Sequence, residues 1–196
     1  MTEADIRAPR ADATRNRDQL LAVATRVFAA AGAEPSMRAI AREAGVGIAT
    51  LYRHFPTRGS LVDAVYRDQV VRLTTGAREL LGRLAPAAAM RRWMDLFGDW
   101  IATKNGMLDT LLAMIDAGEI AHADTRAELL AAITTILDAG RTAGDLRSDV
   151  TAEDIAASLI GIFTVAPRPG QEAKAARLLD LLMDGLRPAD RPDPAG

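Results

Sequence analysis

Apolar residues recur at intervals of three and four along nearly the whole of this 196-residue chain, and no stretch alternates apolar and polar residues as a half-buried strand does. Prolines, glycines and helix-capping residues interrupt this helical pattern. The segments that result are 14–31, 36–44, 47–54, 57–84, 86–104, 107–117, 125–144, 152–166 and 171–186. Because 49% of the residues are hydrophobic, the helices can bury a real core. The sequence therefore predicts an all-α fold of about nine helices.

Composition and charge narrow the class of protein. The chain has no cysteine, which excludes disulfides and cysteine nucleophiles and suits a reducing cytoplasm. The longest uncharged run, Ile155 to Pro167, is shorter than the roughly 20 apolar residues that cross a membrane. Residues 1–60 hold nine arginines and six acidic residues, a net charge of +3, although the whole chain carries −2. We expect a cytoplasmic protein without a membrane partner, and the basic N-terminal part is one indication of contact with nucleic acid.

Residues 36–61 contain the most informative pattern. Ser36 can cap a short helix that ends at Gly45, and a second short helix follows over residues 47–54. Ala41 is small enough for the two helices to cross closely, and Gly45 can take the left-handed backbone conformation that such a turn requires. Two short helices joined by a glycine-containing turn are typical of a helix-turn-helix.

The second short helix has one apolar side and one outward side. Val46 and Leu51 are expected to fill the space between the two helices. The residues left facing outward are Gly47, Ile48, Ala49, Thr50, Tyr52 and Arg53. In a helix-turn-helix the start of the second helix enters the major groove of DNA. Two ordinary packed helices with no partner would show the same spacing, so the outward residues are what favour DNA binding.

Two segments of this stretch carry a family resemblance. Residues 40–46 read Ile-Ala-Arg-Glu-Ala-Gly-Val, and residues 50–56 read Thr-Leu-Tyr-Arg-His-Phe-Pro. Together they closely resemble the signature of the TetR family of bacterial repressors, over about residues 14–66. The resemblance implies an N-terminal three-helix DNA-binding domain with a helix-turn-helix and a C-terminal helical ligand-binding and dimerisation domain. It further implies a homodimer that binds double-stranded operator DNA and is released by a small-molecule effector.

The resemblance assigns base-reading positions. Ile48, Ala49 and Thr50 occupy them, and Arg38 would contact a phosphate or a guanine. Many members of the family have Ser-Lys where this chain has Gly47-Ile48, so polar base contacts are few here. We expect Ile48 and Ala49 to contact thymine methyl groups instead.

The resemblance also assigns positions that hold the DNA backbone. Thr50, Tyr52 and His54 match residues that contact phosphates, and Arg53 lies among them on the outward side. Arg58 stands where the family usually has a phosphate-binding lysine, and arginine keeps that charge while adding a second donor group. Arg58 is therefore expected to bind a phosphate.

The C-terminal part is expected to bind the effector and the second subunit. The resemblance implies a pocket among the middle helices, for an apolar or amphipathic ligand, and dimerisation through the last two helices. The candidates for the pocket are Trp93, Phe97, Trp100, Met107, Leu111 and Met114. The candidates for the dimer interface are Ile155, Leu159, Ile162, Phe163, Leu178, Leu179, Leu182 and Leu186. Both sets could equally belong to the hydrophobic core of one subunit.

The expected organisation runs from a flexible arm to a flexible tail. The predicted parts are an arm over 1–13, a DNA-binding domain over 14–56, a connecting helix over 57–84, a ligand-binding and dimerisation domain over 85–187 and a tail over 188–196. Arg7 or Arg10 on the arm could enter a minor groove, although an uninvolved arm is the simpler expectation.

Other classes of protein find little support. The only histidines are His54 and His122, His122 being expected in a polar loop, and the chain has no nucleophile elbow, phosphate loop or metal-spaced cluster. We expect no enzyme activity, no cofactor and no metal. The alternative to a regulator is a helical small-molecule-binding protein whose helix-turn-helix is degenerate.

Overall fold

The computed structural model describes the backbone of residues 3–30, 34–120, 122–167 and 170–188, and the side chains of the same ranges apart from 3–15 and 122–123. All regular secondary structure in these ranges is helical, which confirms the predicted all-α class. The helices in chain order are α1 (Glu3–Ala30), α2 (Met37–Glu43), α3 (Ile48–His54), α4 (Arg58–Leu81), α5 (Pro86–Asn105), α6 (Leu108–Asp116), α7 (His122–Ala143), α8 (Ala152–Val165) and α9 (Glu172–Gly185).

Local side-chain hydrogen bonds explain where several helices begin. The hydroxyl of Ser36 accepts a backbone N–H from the first turn of α2 at 3.2 Å. Ahead of α4, Thr57 Oγ1 accepts the backbone N–H of Ser60 at 3.0 Å and Ser60 Oγ accepts that of Thr57 at 3.1 Å. Thr151 and Asp154 form the same reciprocal capping box at the start of α8. Each box satisfies backbone donors that a helix start leaves without partners.

The N-terminal helix begins earlier than predicted. Because α1 starts at Glu3, the predicted start of this helix at residue 14 is wrong, and the backbone of the predicted flexible arm over 1–13 is helical from Glu3 onward. Alanine and arginine favour helix even where no apolar stripe marks it. The side chains of Arg7 and Arg10, which were considered for the minor groove, lie outside the described residues. Residues 189–196 of the predicted tail lie outside them as well.

Two further boundaries differ from the sequence pattern. Helix α7 begins at His122, so the backbone of this residue is helical and does not lie in a loop. Thr125 is buried inside α7 and cannot cap its start, although Thr125 and Glu128 have the spacing of a capping box. Helix α4 ends at Leu81, three residues before Leu84.

The chain divides into two compact units that are not continuous in sequence. Unit 1 comprises Met1–Asp68 and Ala102–Ile120, and unit 2 comprises Gln69–Ile101 and Ala121–Gly196. The units do not follow the predicted domain boundaries, because α6 belongs to the same unit as the helix-turn-helix. Helices α4 and α5 each contribute residues to both units.

Each unit has its own set of buried apolar side chains. Those of unit 1 include Leu20, Ala24, Phe28, Ile40, Leu51, Phe55, Leu61, Val65, Met107 and Leu111. Those of unit 2 include Leu73, Met90, Trp93, Met94, Ile133, Ile136, Ile155, Leu159 and Leu179. In the part of the chain that the structure describes, no helix has both the length and the apolar character needed to cross a membrane.

Candidate nucleic-acid interface

The turn between α2 and α3 is built around Gly45. Its φ angle of +67° lies in the left-handed region, where a side chain would strain the backbone. The N–H of Gly45 donates to the carbonyl of Arg42 at 3.1 Å, and the N–H of Val46 donates to the carbonyl of Ala41 at 3.0 Å. These bonds close the end of α2 and turn the chain into α3 within the four residues 44–47.

One side of α3 is anchored in the core of unit 1. Leu51 is fully buried, as is Ile40 on α2, and Ala41 presents only a methyl group to the crossing. At the end of α3, Phe55 is buried, and the Arg17 guanidinium of α1 lies 5.3 Å from the centroid of its ring. The orientation of α3 is therefore held by packing on two sides, which is the requirement for a recognition helix.

The other side of α3 lies on the surface. Gly47, Ala49, Tyr52 and Arg53 are exposed, as is Arg38 on α2. The phenol ring of Tyr52 is 45% exposed although it is large and apolar. The half-buried members of the predicted set are Ile48, Thr50 and His54. None of the eight residues is buried, so each can reach a partner outside the chain.

Arg58 is placed differently from the other candidates. Its Nε donates to Glu34 Oε2 at 3.0 Å and lies 2.9 Å from Thr110 Oγ1, and its Nη1 donates to the carbonyl of Pro35 at 2.6 Å. Its Nη2 is 2.7 Å from Glu34 Oε2, and its Cζ lies 5.9 Å from the centroid of the Phe28 ring. The structure thus shows an arginine that contacts partners of its own chain, at a position where the sequence predicted a phosphate-binding residue.

The six candidates for the effector pocket are all buried. Trp93, Phe97 and Trp100 form an aromatic row in unit 2, with ring centroids 5.7 Å and 5.2 Å apart. The Trp93 Nε1–H donates to the carbonyl of Leu73 at 2.8 Å, which satisfies its only polar group. The Phe97 ring also lies 6.2 Å from that of Phe163. The other three candidates, Met107, Leu111 and Met114, are buried in unit 1.

The eight candidates for the dimer interface fall into two groups. Five are buried inside unit 2 and are core residues: Ile155, Leu159, Phe163, Leu179 and Leu186. The prediction that these five face a second subunit is therefore wrong for the described chain. The half-buried three are Ile162, Leu178 and Leu182. Sequence reasoning chose the more apolar stripe of each helix, and that stripe is the one the subunit itself buries.

The residues that sequence reasoning missed are the exposed apolar ones. Ile160 on α8 is 55% exposed and Leu181 on α9 is 66% exposed, in a chain whose other aliphatic side chains are mostly covered. Glu34 and Thr110, the partners of Arg58, were also missed. No local pattern marks them, because they lie 24 and 52 positions away from Arg58 in the sequence.

Comparisons with known proteins agree over both parts of the chain. The family model of bacterial regulatory proteins of the tetR family matches residues 20–65, and the model of the SbtR-like transcriptional regulator C-terminal domain matches residues 85–188. No match was found among curated proteins.

Solved structures include two relatives that are more than 30% identical to this chain. The TetR transcriptional regulator SCO0520 from Streptomyces coelicolor is 46% identical, with a TM-score of 0.80 over 88% of this chain and 99% of the other. A TetR transcription regulatory protein from Mycobacterium vanbaalenii is 37% identical, with a TM-score of 0.70 over 91% and 98%. A gamma-butyrolactone receptor (ArpA-like protein) is 22% identical and shares the fold, with a TM-score of 0.58 over 91% and 92%. With a buried helix-turn-helix anchor and an exposed recognition face, the chain belongs to the TetR family of bacterial transcriptional regulators, which bind DNA and are not enzymes.

Proposed function

We propose that this regulator is a repressor that binds a palindromic operator as a homodimer in the bacterial cytoplasm and releases it when a small apolar or amphipathic effector binds. The observation that carries the proposal is the contrast within α3: Leu51 is fully buried while its neighbour Tyr52 is 45% exposed. A helix that is anchored on one side and open on the other has the arrangement that reads a major groove.

Sequence readout is assigned to the start of α3. Ile48, Ala49 and Thr50 lie in its first turn, where side chains of a recognition helix meet base edges. Two of the three are apolar, which suits contact with thymine methyl groups rather than hydrogen bonds to guanine. Arg38, exposed on α2, supplies the contact to a phosphate or a guanine. The proposed operator therefore includes A·T pairs where α3 enters the groove.

Backbone contacts are assigned to the rest of α3. Tyr52, Arg53 and His54 follow the readout residues, and Arg53 is the exposed cation among them. Phosphate contacts release counterions, so binding weakens with salt in proportion to their number. A Cβ built on Gly47 has no atom of this chain within 4 Å, so a side chain at this position would project from the surface. Because glycine has no side chain, the DNA backbone can approach the start of α3 closely.

A second copy of the chain is proposed to cover the exposed side of α8 and α9. Ile160 on α8 and Leu181 on α9 are exposed apolar residues there, and half-buried Leu178 lies one helical turn before Leu181. Ala157 and Gly161 are small and exposed on α8, with nothing within 4 Å of a Cβ built on Gly161. Small residues beside large ones let two helices approach closely, and both helices lie in unit 2.

The effector is proposed to contact the three buried aromatic candidates of unit 2, which are Trp93, Phe97 and Trp100. Their rings suit an apolar or amphipathic molecule. The likeness of fold to a gamma-butyrolactone receptor is compatible with such a ligand. Because these side chains are buried, binding must select a conformation that differs from the one described, which is how an effector changes affinity for DNA.

The DNA-binding part is tested by selecting bound fragments from genomic DNA and measuring their affinity at several salt concentrations. Arg53→Ala should weaken binding to every fragment and lower the slope of log K against log salt by about one. Ile48→Ala should change which fragments are preferred more than it changes non-specific affinity. A wild-type chain that binds a ligand but selects no fragment would favour a small-molecule-binding protein with a degenerate helix-turn-helix.

The dimer is tested by light scattering with matched variants. Leu181→Asp places a charge on the proposed interface and should convert the dimer to monomers. Leu112→Asp is the control, since Leu112 is an exposed leucine of α6, at 49% exposure, outside the proposed interface. A monomeric wild-type chain, or a Leu181→Asp variant that stays dimeric, would contradict the assigned interface.

A further inference from the structure

The guanidinium of Arg58 is occupied from three directions. Glu34 accepts the N–H of Nε, Thr110 Oγ1 lies within hydrogen-bond distance of Nε, and the carbonyl of Pro35 accepts an N–H of Nη1. The side chains of Arg58 and Glu34 are only 27% and 18% exposed. An arginine that binds a phosphate must instead present its fork of N–H donors to the solvent. Binding a phosphate here would require breaking the ion pair with Glu34 and the hydrogen bonds of Nε and Nη1.

Arg58 and its partners lie at three helix starts of unit 1. Arg58 is the first residue of α4, Pro35 directly precedes the capping residue of α2, and Thr110 lies in the first turn of α6. Glu34 joins the same three elements, because its Oε1 accepts the backbone N–H of Thr110 at 2.9 Å and its Oε2 accepts the hydroxyl of Thr110 at 2.9 Å. The Arg58–Glu34 ion pair and its hydrogen bonds therefore join the starts of α2, α4 and α6.

Helix α6 meets the rest of unit 1 at two further points. A Cβ on Gly106, just before α6, would lie 1.9 Å from the carbonyl oxygen of Phe28 in α1. A Cβ on Gly59 in α4 would lie 3.5 Å from the sulfur of Met114 near the end of α6. The segment 106–114 thus approaches α1 at its start and α4 near its end, and the Arg58 network lies between these two contacts.

We propose that Arg58 is a positioning residue, which together with Glu34 and Thr110 holds α2, and through it α3, at the angle needed for DNA binding, rather than a ligand of phosphate. The proposal rests on the proposed DNA-binding function. It also makes α6 a structural part of the DNA-binding unit, although this helix lies in the region matched by the C-terminal family model. Loss of the network lowers the fraction of molecules with a binding-competent α3, and the apparent affinity falls by that fraction.

The charge state of Glu34 is consistent with this role. Burial opposes ionisation of its carboxyl, but the hydrogen bonds from Thr110 and the charge and hydrogen bond of Arg58 outweigh burial and lower the pKa of Glu34. Glu34 is therefore ionised at neutral pH and remains paired with Arg58.

The test measures operator affinity against salt for Glu34→Gln, Arg58→Lys, Arg58→Ala and the double variant Glu34→Gln/Arg58→Lys. If Arg58 positions α2, Glu34→Gln and Arg58→Lys should each lower affinity about tenfold, since each breaks charged hydrogen bonds at partly exposed groups. The double variant should lose no more than the larger single loss, because both changes remove one interaction. The salt slope of Arg58→Ala should equal that of the wild type.

A phosphate ligand would give the opposite results. Arg58→Ala would then lower the salt slope by about 0.9, Arg58→Lys would keep its affinity, and Glu34→Gln would bind DNA as well as or better than the wild type because a nearby negative charge is removed. Any of these results would overturn the proposal. Arg53→Ala serves as the positive control for a phosphate contact.

A DNA-free measurement separates this inference from the proposed function. Thermal unfolding midpoints of the two single variants and the double variant should be non-additive if Glu34 and Arg58 act as one unit. Additive midpoints would overturn the network even if DNA binding were intact. A wild-type chain that binds no DNA, with non-additive midpoints, would refute the proposed function while leaving the network in place.

Discussion

Gly106 offers the sharpest test of how α6 is held in unit 1. The residue stands between α5 and α6, and a Cβ at this position would lie 1.9 Å from the carbonyl oxygen of Phe28 and 2.6 Å from its carbonyl carbon. Both atoms belong to the backbone of α1, so no side-chain rotation can relieve the overlap. Gly106→Ala must therefore push α6 away from α1 by about 1 Å or more, given that real Cβ contacts are essentially never shorter than 3.0 Å.

Two opposing effects decide the sign of this substitution. Replacing glycine by alanine restricts the unfolded chain, which stabilises a protein by about 0.4–1 kcal/mol where the native backbone conformation suits alanine. Forcing a methyl group into a closely packed contact costs about 1–3 kcal/mol. Since the obstacle here is backbone on both sides, we take the upper part of that range and expect a net loss of about 2 kcal/mol in the free energy of unfolding.

The prediction is checked by urea unfolding followed by circular dichroism, with thermal melting alongside. A loss of about 2 kcal/mol corresponds to a fall of about 4–8 °C in the midpoint for a chain of this size. Gly185→Ala is the matched control, because Gly185 is helical in α9 with nothing within 4 Å of a Cβ built on it. Helix propensity should make that variant as stable as the wild type or more stable, by up to about 1 kcal/mol. A Gly106→Ala variant as stable as Gly185→Ala would refute the reasoning.

Three further predictions concern unit 1. Leu51→Ala removes a fully buried side chain and should lower the free energy of unfolding by about 3 kcal/mol. Tyr52→Ala, at a neighbour that is 45% exposed, should change it by less than about 0.5 kcal/mol. Chemical denaturation measures both variants, and it would show the reverse order if Tyr52 were on the buried side of α3. A methyl group at Gly45 would have open space around it, but the φ of +67° is unfavourable for alanine. Gly45→Ala should therefore lower the free energy of unfolding by about 1 kcal/mol, and Gly45→Asn should lower it by less in the same assay. The lowered pKa of Glu34 stabilises the folded state fully above the ordinary value of 4.5 and ceases to do so as the pH falls through the lowered value. The melting midpoint of the wild type should therefore fall more steeply below pH 4.5 than that of Glu34→Gln, and parallel curves would contradict the pairing.

Much of the recognition surface is readable in the sequence because it is built from contacts within a few residues. The Ser36 cap, the left-handed Gly45 and the buried Leu51 all lie in one short stretch, and their spacing forces the outward residues to the surface. The capping box of Thr151 and Asp154 depends in the same way on residues three positions apart. Thr125 shows the limit of such patterns, because a spacing of three residues also occurs inside a helix and cannot tell its start from its interior.

The last two helices show what sequence patterns could not predict, namely which apolar residues are buried and which are exposed. Helix α8 is apolar around most of its circumference, and the apolar side of α9 includes adjacent leucines, so periodicity identifies each helix without saying which of these residues pack inside. Packing within unit 2 buries Leu159 and Leu179 and leaves Ile160 and Leu181 outside, and each of these pairs differs by one or two positions. One residue is a rotation of about 100° around a helix, which is enough to exchange core and surface.

The amino-acid order alone sufficed for the helical class, the helix-turn-helix and the surface of α3, since these depend on interactions between residues three or four positions apart. Only the tertiary structure decided which groups Arg58 contacts, because its partners Glu34 and Thr110 lie 24 and 52 positions away in the sequence. The inclusion of α6 in the unit of the helix-turn-helix was settled in the same way. A charged side chain takes whichever partner the fold brings within about 3 Å, and no local spacing encodes that meeting.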